Sequence, residues 1–427
     1  MGPVNIPARL VAKARSLSGF SLILIATIIS GVASYVVTSI VFRQLDAATY
    51  ATFAIFWSFI YLVVGALFGI QQEVTRGTRA VPECAPARVS RARNFGLVAG
   101  ASVFAIIVAS APLWVSAAFP DDGWPLVWPL AVGAASFVMV AVLCGSLYGI
   151  AGWFPLALLM ITDSFLRLIG IAAVLAVTDS TVALAWAVAL PFPGSLVILW
   201  PFIRRQIVGR TQLDVGYRAL TWNVARTMVA AASTGIMVSG FPLVLQFTSA
   251  GESAALVGLY VFCITLTRAP LIVIAMSLQS YLIVVFRDAG AGFWKLFLRL
   301  QGVLVLAGIV LAAAAWWLGP PVFEFLFPDK QVPDGAFLAV LVASSALVGS
   351  LCISAPAVLA RSEHVVYAAG WAVSAVVTVC ALLVPVDFTT RTVLSLLVGP
   401  TAGIVVYGTY LVRARVRSRL LVPVDGT

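Results

Sequence analysis

Charged side chains are scarce in this sequence. Asp, Glu, Lys and Arg make up 10% of its 427 residues, whereas hydrophobic residues make up 62% and the mean hydropathy is +1.08. Globular domains are about one-quarter charged and about half apolar. So little charge cannot cover a water-facing surface, and the composition therefore indicates a membrane protein.

The sequence also contains a single histidine and no closely spaced pair of cysteines. The one histidine, His364, lies between two apolar runs, so a His-based dyad or metal centre would rest on a single residue. No phosphate-binding loop of the form G-x-x-x-x-G-K-[ST] is present, which argues against direct ATP coupling. We therefore expect no cofactor, no metal and no enzymatic activity. The cysteines show no C-x-x-C spacing and predict no disulfide framework: Cys84, Cys144, Cys263, Cys352 and Cys380.

What the sequence has in abundance is long apolar runs separated by short polar connections. A transmembrane helix needs about 20 apolar residues, and in lipid a helix satisfies its own backbone groups. The runs predict an all-α polytopic membrane protein of about twelve transmembrane helices. The predicted spans are 19–42, 50–71, 95–118, 125–150, 154–177, 181–202, 225–247, 255–284, 294–317, 335–358, 365–386 and 393–412.

Basic residues are distributed unequally between the two sides of these spans. Of the 26 Lys and Arg residues, Arg167 and Arg268 fall inside spans, and Arg43, Lys330 and Arg391 fall on the side opposite the N-terminus. All the others fall on the N-terminal side. The positive-inside rule then places both termini in the cytoplasm and the protein in the cytoplasmic membrane. The net charge of +10 indicates contact with anionic membrane lipids, and the short loops leave no basic face for nucleic acid.

Two longer basic connections, 73–93 and 204–223, stand out from the short ones. The second divides the chain into six spans and six, which predicts an N-lobe at 1–210 and a C-lobe at 211–427. Short sequences recur at similar places in the two halves: Phe119-Pro120-Asp121 returns as Phe327-Pro328-Asp329, and Gly145-Ser146-Leu147 returns as Gly349-Ser350-Leu351. With an even number of spans in each half, a duplication would give a parallel repeat.

Charges inside the predicted spans are the main candidates for a site. Asp163 and Arg167 are spaced i,i+4 with the acid first, the favourable order for an ion pair within a helix. Arg268 has no acid in its own span, so it either pairs with a neighbouring helix such as that of Asp163 or receives an anion. Pro270, two residues later, is expected to bend the helix. All three charged residues are candidate substrate-binding residues.

A second candidate group lies where the second span meets the cytoplasm. Arg76 follows Glu73 there, and Arg226 lies near the start of the seventh span. The planar guanidinium group can bind a phosphate through two hydrogen bonds, so Arg76 and Arg226 are candidate substrate-binding residues. The alternative is that they only anchor the helices at the membrane surface.

The connection between the first two spans resembles a known family. The sequence Arg43-Gln44-Leu45-Asp46-Ala47-Ala48-Thr49-Tyr50-Ala51-Thr52-Phe53 is similar to the R-x-L-G-P-x-x-Y-G-x-[FY] connection of Wzx-type polysaccharide flippases. These belong to the multidrug/oligosaccharidyl-lipid/polysaccharide exporter (MOP) superfamily. The match keeps Arg43, Leu45, Tyr50 and Phe53, and it departs from the pattern at Asp46, Ala47 and Ala51.

This resemblance implies a V-shaped, MATE-like transporter with two six-helix lobes around a cavity. The first, second, seventh and eighth helices would line the cavity, and Arg268 would face it. The implied activity is the transfer of a polyprenyl-phosphate-linked oligosaccharide across the cytoplasmic membrane by alternating access, for cell-envelope biosynthesis. The implied partners are the polyprenyl-linked glycan and, at the membrane, envelope glycosyltransferases or a polymerase.

Two alternatives to the flippase stay open. A cation-coupled multidrug antiporter of the same superfamily would use a membrane carboxylate for coupling, and only Asp163 could serve. A non-transporting scaffold for envelope-assembly enzymes would need no charge inside the membrane. Alanine substitutions of Arg167 and Arg268 that left the phenotype intact would favour the scaffold.

The asymmetry of basic residues yields a testable topology. A cysteine introduced into the 204–218 connection should react with membrane-impermeant thiol reagents only after the cells are opened, because this connection is predicted to be cytoplasmic. A cysteine at Lys330, on the opposite side, is the control and should react in intact cells. Labelling of the 204–218 connection from outside would overturn the predicted topology.

Overall fold

The computed structural model describes residues 8–80, 91–120, 123–213, 216–249, 251–361 and 363–420. Cys84, Asp121 and the N-terminal seven residues therefore lie outside the described residues, as does the side chain of His364. Within the described part the chain is almost entirely helical. In chain order the elements are α1 Ala8–Gln44, α2 Ala47–Gly77, β1 Thr78–Ala80, α3 Arg91–Ala118, α4 Trp124–Gly149, α5 Trp153–Leu175, α6 Thr181–Ala189, α7 Pro191–Ile207, β2 Thr211–Leu213, α8 Tyr217–Gly235, a π-helix Ile236–Gly240, α9 Phe241–Thr248, α10 Ala254–Asp288, a short 3-10 helix Gly290–Gly292, α11 Phe293–Leu326, α12 Gly335–Leu359, α13 His364–Leu382 and α14 Phe388–Leu420.

The predicted all-α polytopic membrane protein is confirmed. Among the described residues, ten helical segments are long and apolar enough to cross a membrane, and an eleventh is reached if the bent segment from Tyr217 to Thr248 is one span. The eighth predicted span corresponds to α10, which is 35 residues long and whose apolar first part is Ala254–Arg268. Each predicted span therefore coincides with a helical segment.

Two of the predicted spans are broken helices. The sixth consists of α6 and α7, which meet at Leu190; Pro191 and Pro193 have no N–H groups to continue the hydrogen-bond ladder of α6. The seventh starts earlier than predicted, at Tyr217, and bends by 72° between Val238 and Phe241. Pro270 does not end α10, which continues to Asp288.

The connection between α1 and α2 shows why the residues shared with the flippase pattern matter for folding. Leu45, Tyr50 and Phe53 are buried, and Tyr50 packs edge-on against Phe42 with 4.8 Å between ring centroids. Asp46, which replaces a glycine of that pattern, caps α2 by accepting hydrogen bonds from the backbone of Ala48 and Thr49 and from the Thr49 hydroxyl. These hydrogen bonds, foremost that of the Thr49 hydroxyl, lower the pKa of the Asp46 carboxyl.

The chain separates into two compact units, residues 1–232 and 233–427. The predicted division at 210/211 lies earlier, in the connection between α7 and β2. In the first unit α2, α3 and α6 pack around α4, and α1 packs along α5. In the second unit α10, α11 and α14 pack around α12, and α13 lies along α14. The central helix of each unit thus contains one copy of the recurring Gly-Ser-Leu sequence.

Small residues allow the close helix contacts of the first unit. A Cβ atom at Gly145 of α4 would lie 2.8 Å from the carbonyl oxygen of Gln71 and from Cβ of Val74, both on α2. Close packing of this kind replaces the hydrophobic driving force that lipid does not supply. The outer faces are apolar instead, as at Leu113 of α3, which is 85% exposed. Such faces are suited to lipid contact.

The two longer basic connections meet in a short β-ribbon. β1 pairs with β2 in an antiparallel register that sets Thr78 opposite Leu213 and Ala80 opposite Thr211. Thr78 is buried, and its hydroxyl donates to the carbonyl of Val74 at 2.6 Å. The ribbon therefore joins the end of α2 to the segment between α7 and α8.

The contact at Gly145 gives a prediction for stability. Gly145→Ala should lower the free energy of unfolding in detergent by about 1–3 kcal/mol, because the added methyl group overlaps the α2 backbone. Gly170→Ala in α5 is the matched control; its Cβ would meet Ala187 only at 3.7 Å, so stability should stay the same or rise slightly. Equal stability of the two variants would contradict the proposed packing.

Candidate functional site

Arg268 is enclosed by the apolar interior of the second unit. The residue is 3% exposed and lies on α10. Nη1 donates a hydrogen bond to the carbonyl of Met237 at 3.2 Å, and the guanidinium carbon lies 5.3 Å from the ring centroid of Phe241. Nε and Nη2 are buried and have no hydrogen-bond partner among the described residues. A buried cation with two unpaired nitrogens is therefore present at this point.

The backbone beside Arg268 departs from a regular helix. Met237 lies in the π-helix Ile236–Gly240, which joins α8 to α9 at the 72° bend. Gly240 and Pro242 favour this break, because glycine is flexible and proline lacks an N–H group. A π-turn displaces carbonyl groups from the regular ladder and is frequent at functional sites. The Met237 carbonyl is thus available to accept from Arg268.

Met237 is also held from another side. Its sulfur atom accepts from the hydroxyl of Ser374 at 3.6 Å and from that of Thr378 at 3.4 Å, both on α13. Both hydroxyl side chains are buried. Met237 therefore connects the guanidinium group of Arg268 to a small polar cluster on α13.

Asp163 and Arg167 form an ion pair within α5, as their spacing predicts. Arg167 Nη2 lies 2.9 Å from Asp163 Oδ2, in a geometry that is an ionic contact and not an aligned hydrogen bond. Nε of Arg167 donates to the carbonyl of Val188 at 3.3 Å. The guanidinium carbon lies 5.0 Å from the ring centroid of Phe192 and 5.7 Å from that of Tyr61. The pair is therefore built into the contacts among α2, α5, α6 and α7.

The two buried arginines, Arg167 and Arg268, differ in the groups that offset their positive charge. Arg167 is 4% exposed and has a carboxylate beside it. Arg268 is equally buried, yet among the described residues no carboxylate lies within salt-bridge distance of it. The structure therefore pairs Asp163 with Arg167. Among the described residues, the partners of Arg268 are a carbonyl and an aromatic ring.

Arg76 and Arg226 lie outside the apolar interior. Arg76, with a side chain 61% exposed, donates from Nη2 at 2.7 Å and from Nε at 3.0 Å to the same oxygen of Glu73. The other oxygen of Glu73 accepts from the hydroxyl of Thr227 on α8 at 3.1 Å. Arg226 is exposed, and its guanidinium carbon lies 5.9 Å from the ring centroid of Trp222. The end of α2 and the middle of α8 are thus brought together, and Arg76 is partly engaged by Glu73.

Sequence reasoning missed several residues that shape these sites. Met237 and Phe241 contact Arg268, and Tyr61 and Phe192 contact Arg167. Each is one of many apolar or aromatic residues in a predicted span, so the sequence provides no signal that distinguishes it. Thr227 was missed for a similar reason, although it directly follows Arg226.

Comparison with solved structures identifies the fold. The fold is similar to that of a multidrug resistance MATE family transporter of the MOP superfamily in an inward-facing conformation, with a TM-score of 0.68 at 15% identity over 94% of this chain and all of that one. It is also similar to a MOP superfamily transporter from Pyrococcus furiosus, described as having a binding pocket of reverse polarity, with a TM-score of 0.62 at 16% identity over 93% of this chain and 95% of that one. The chain has the MATE-like fold of this superfamily.

Sequence comparison gives the family. No protein-family model matches the chain. It is 32% identical over 394 residues to uncharacterized protein Rv1510 of Mycobacterium tuberculosis, covering 91% of this chain and 90% of that one. It is 29% identical over 391 residues to uncharacterized protein Mb3654 of Mycobacterium bovis, with the same coverage. The protein therefore belongs to the family of the mycobacterial protein Rv1510.

The ion pair in α5 predicts an asymmetry between two kinds of variant. Asp163→Asn should lower the free energy of unfolding by about 3 kcal/mol, because it leaves Arg167 charged and buried without a carboxylate. The double variant Asp163→Asn with Arg167→Met removes both charges and should recover most of this loss. Thermal unfolding in detergent measures both. A double variant no more stable than the single one would contradict the proposed role of the ion pair.

Proposed function

We propose that this protein moves a polyprenyl-phosphate-linked oligosaccharide or polysaccharide precursor across the bacterial cytoplasmic membrane by alternating access, for cell-envelope biosynthesis. Both termini lie in the cytoplasm in this proposal, as the distribution of basic residues predicts. Transport requires no covalent chemistry by the protein, which agrees with the expected absence of a catalytic group. The proposal rests on the site at Arg268, on the fold and on the resemblance of the first connection to polysaccharide flippases.

The observation that most supports an anionic substrate is the incomplete compensation of Arg268. An arginine at the centre of a transmembrane helix costs at least about 2.5 kcal/mol, so its partners must offset that cost. Here the partners are one carbonyl and one aromatic ring, and Nε and Nη2 stay unpaired among the described residues. These two nitrogens lie on one edge of the guanidinium plane. From this edge the two N–H groups can donate parallel hydrogen bonds to two oxygens of one phosphate. A phosphate group would therefore provide both a negative charge and acceptors for Nε and Nη2 of Arg268.

The membrane setting narrows the type of phosphate compound. Arg268 is the last residue of the apolar stretch Ala254–Arg268 and is almost inaccessible to solvent. A substrate that brings a phosphate to this depth needs an apolar portion of its own, and a polyprenyl chain provides one. Binding pockets within this fold also differ in polarity, since the similar structure from Pyrococcus furiosus is described as having a pocket of reverse polarity. The fold therefore leaves room for a basic site.

One observation favours the second candidate, a cation-coupled multidrug antiporter. Oδ1 of Asp163 is buried and has no hydrogen-bond partner among the described residues, so it could take up a proton or a cation. Its Oδ2 is engaged by Arg167, however, and a neighbouring guanidinium group disfavours cation uptake. We therefore place the lipid-linked glycan first and use Asp163 to discriminate between the two functions.

Substitutions at Arg268 test the proposed substrate site. Arg268→Ala should abolish transport, and Arg268→Lys should reduce it by about tenfold or more, because lysine keeps the charge but loses the two-pronged geometry. The measurement is the amount of polyprenyl-linked glycan retained on the cytoplasmic side of the membrane, determined by mass spectrometry in cells that express each variant in place of the native protein. Arg299→Ala on α11 is the control, since it removes an exposed positive charge.

The outcomes separate the candidate functions. Loss of transport in both Arg268 variants, with normal folding and a normal Arg299 control, supports the lipid-linked glycan. Normal transport by Arg268→Ala would refute the site. Drug export that is abolished by Asp163→Asn and unaffected by Arg268→Ala would support the antiporter instead. Envelope defects that respond to neither substitution would point to a scaffold.

A further inference from the structure

We propose that Arg361 and Arg415, held on an aromatic surface at one end of the second unit, bind the phosphate of an anionic phospholipid headgroup. This surface consists of Phe293, Trp294 and Phe297 at the start of α11. The site differs from that at Arg268 in its residues and its location. It does not rest on the proposed transport function.

The aromatic surface is fixed by the core beneath it. Phe293 is buried, and it stacks parallel to Phe297 with ring centroids 6.2 Å apart. Trp294 meets both rings edge-on, at 5.7 Å from Phe293 and 5.9 Å from Phe297. Phe293 belongs to the hydrophobic cluster that also contains Tyr407 and Leu411 of α14, and Trp294 packs against that cluster. The three rings therefore form a platform that is packed against the core of the second unit.

Each arginine lies over one ring of this platform. The guanidinium carbon of Arg361, in the turn between α12 and α13, lies 4.5 Å from the Phe293 ring centroid. That of Arg415, on α14, lies 4.9 Å from the Trp294 ring centroid. A guanidinium group at this distance over a ring is attracted to the ring face, while its N–H groups point outward along its edge. The edge groups are the ones that bind phosphate.

The charges around Arg361 favour an anion. Among the described residues, no carboxylate lies within salt-bridge distance of Arg361, although the side chain is only half-buried. Lys295, Arg299 and Arg413 are exposed on the neighbouring helices α11 and α14 and add positive charge. An anion that bound here would gain contact with Arg361 and attraction from several further cations.

The position identifies the source of that anion. The platform lies where α10 ends, α11 and α13 begin and α12 and α14 approach their C-terminal ends, so it is at the end of the spans and not within them. Tryptophan and arginine at span ends occur at the depth of the headgroups. The phosphate available at that depth is that of a phospholipid, and several nearby cations select a headgroup with a net negative charge.

Lipid binding by matched variants tests this proposal. The protein is purified in detergent, and its thermal midpoint is measured with added phosphatidylglycerol, which is anionic, or phosphatidylcholine, which is zwitterionic. We expect phosphatidylglycerol to stabilise the native protein more than phosphatidylcholine does. Arg361→Ala and Arg361→Lys should each lose at least half of this difference, because both remove the stacked, two-pronged group. Arg205→Ala removes an exposed charge from α7 of the first unit and should retain this difference.

Further variants and controls address misfolding of the Arg361 variant and the source of the phosphate. If Arg361→Ala does not fold, Arg361→Lys keeps the charge and decides the outcome. Native mass spectrometry should show at least a tenfold loss of bound phosphatidylglycerol in the double variant Arg361→Ala with Arg415→Ala. Stabilisation by soluble glycerol phosphate equal to that by phosphatidylglycerol would refute the lipid assignment. Equal losses in the Arg361 and Arg205 variants would refute it as well. Transport assays on Arg268 variants are independent of all these results.

Discussion

A guanidinium group inside an apolar protein must be compensated, and this constraint organises both units of the molecule. In the first unit Arg167 receives the carboxylate of Asp163, the carbonyl of Val188 and two aromatic rings. Four helices must hold their positions to provide that set. In the second unit Arg268 contacts one carbonyl and one ring, and its Nε and Nη2 have no hydrogen-bond partner in the part of the chain that the structure describes. The first arrangement neutralises its guanidinium charge with a carboxylate, whereas the second contains no carboxylate within salt-bridge distance among the described residues.

Much of this fold can be predicted from the sequence because the bilayer restricts the possibilities. Apolar runs of about 20 residues predict the spans, since lipid leaves the backbone no other way to satisfy its polar groups. The Asp163–Arg167 pair is predictable for a local reason: a spacing of four residues brings two side chains together on one helix. The capping role of Asp46 is also predictable from local sequence, because an N-cap side chain contacts only the first turn of the helix that it precedes.

Other features depend on contacts that no local pattern encodes. The β-ribbon consists of two three-residue strands in polar connections that are more than one hundred residues apart, and neither strand has a hydrophobic alternation. The partner of Arg268 is a backbone carbonyl, which every residue has. That Met237 provides it follows from the π-helix and the packing of α9 and α13, which are tertiary features. The candidate site was therefore predictable as a residue type in a span, and its surroundings were not.

The same partner that stabilises Arg268 also links it to the broken span. Nη1 donates a hydrogen bond to the carbonyl of Met237 in the π-helix. The sulfur of Met237 in turn accepts hydrogen bonds from the hydroxyls of Ser374 and Thr378. An anion that bound Nε and Nη2 would offset the charge of Arg268 and so weaken the hydrogen bond that Nη1 donates to the Met237 carbonyl. A carbonyl that lost this donor would favour re-entry into the helical ladder, because an unpaired backbone group in an apolar environment is costly. In the proposed function, the charge of a bound ligand and the geometry of the seventh span would thus be coupled through this hydrogen bond, so that the site would change shape when it is occupied.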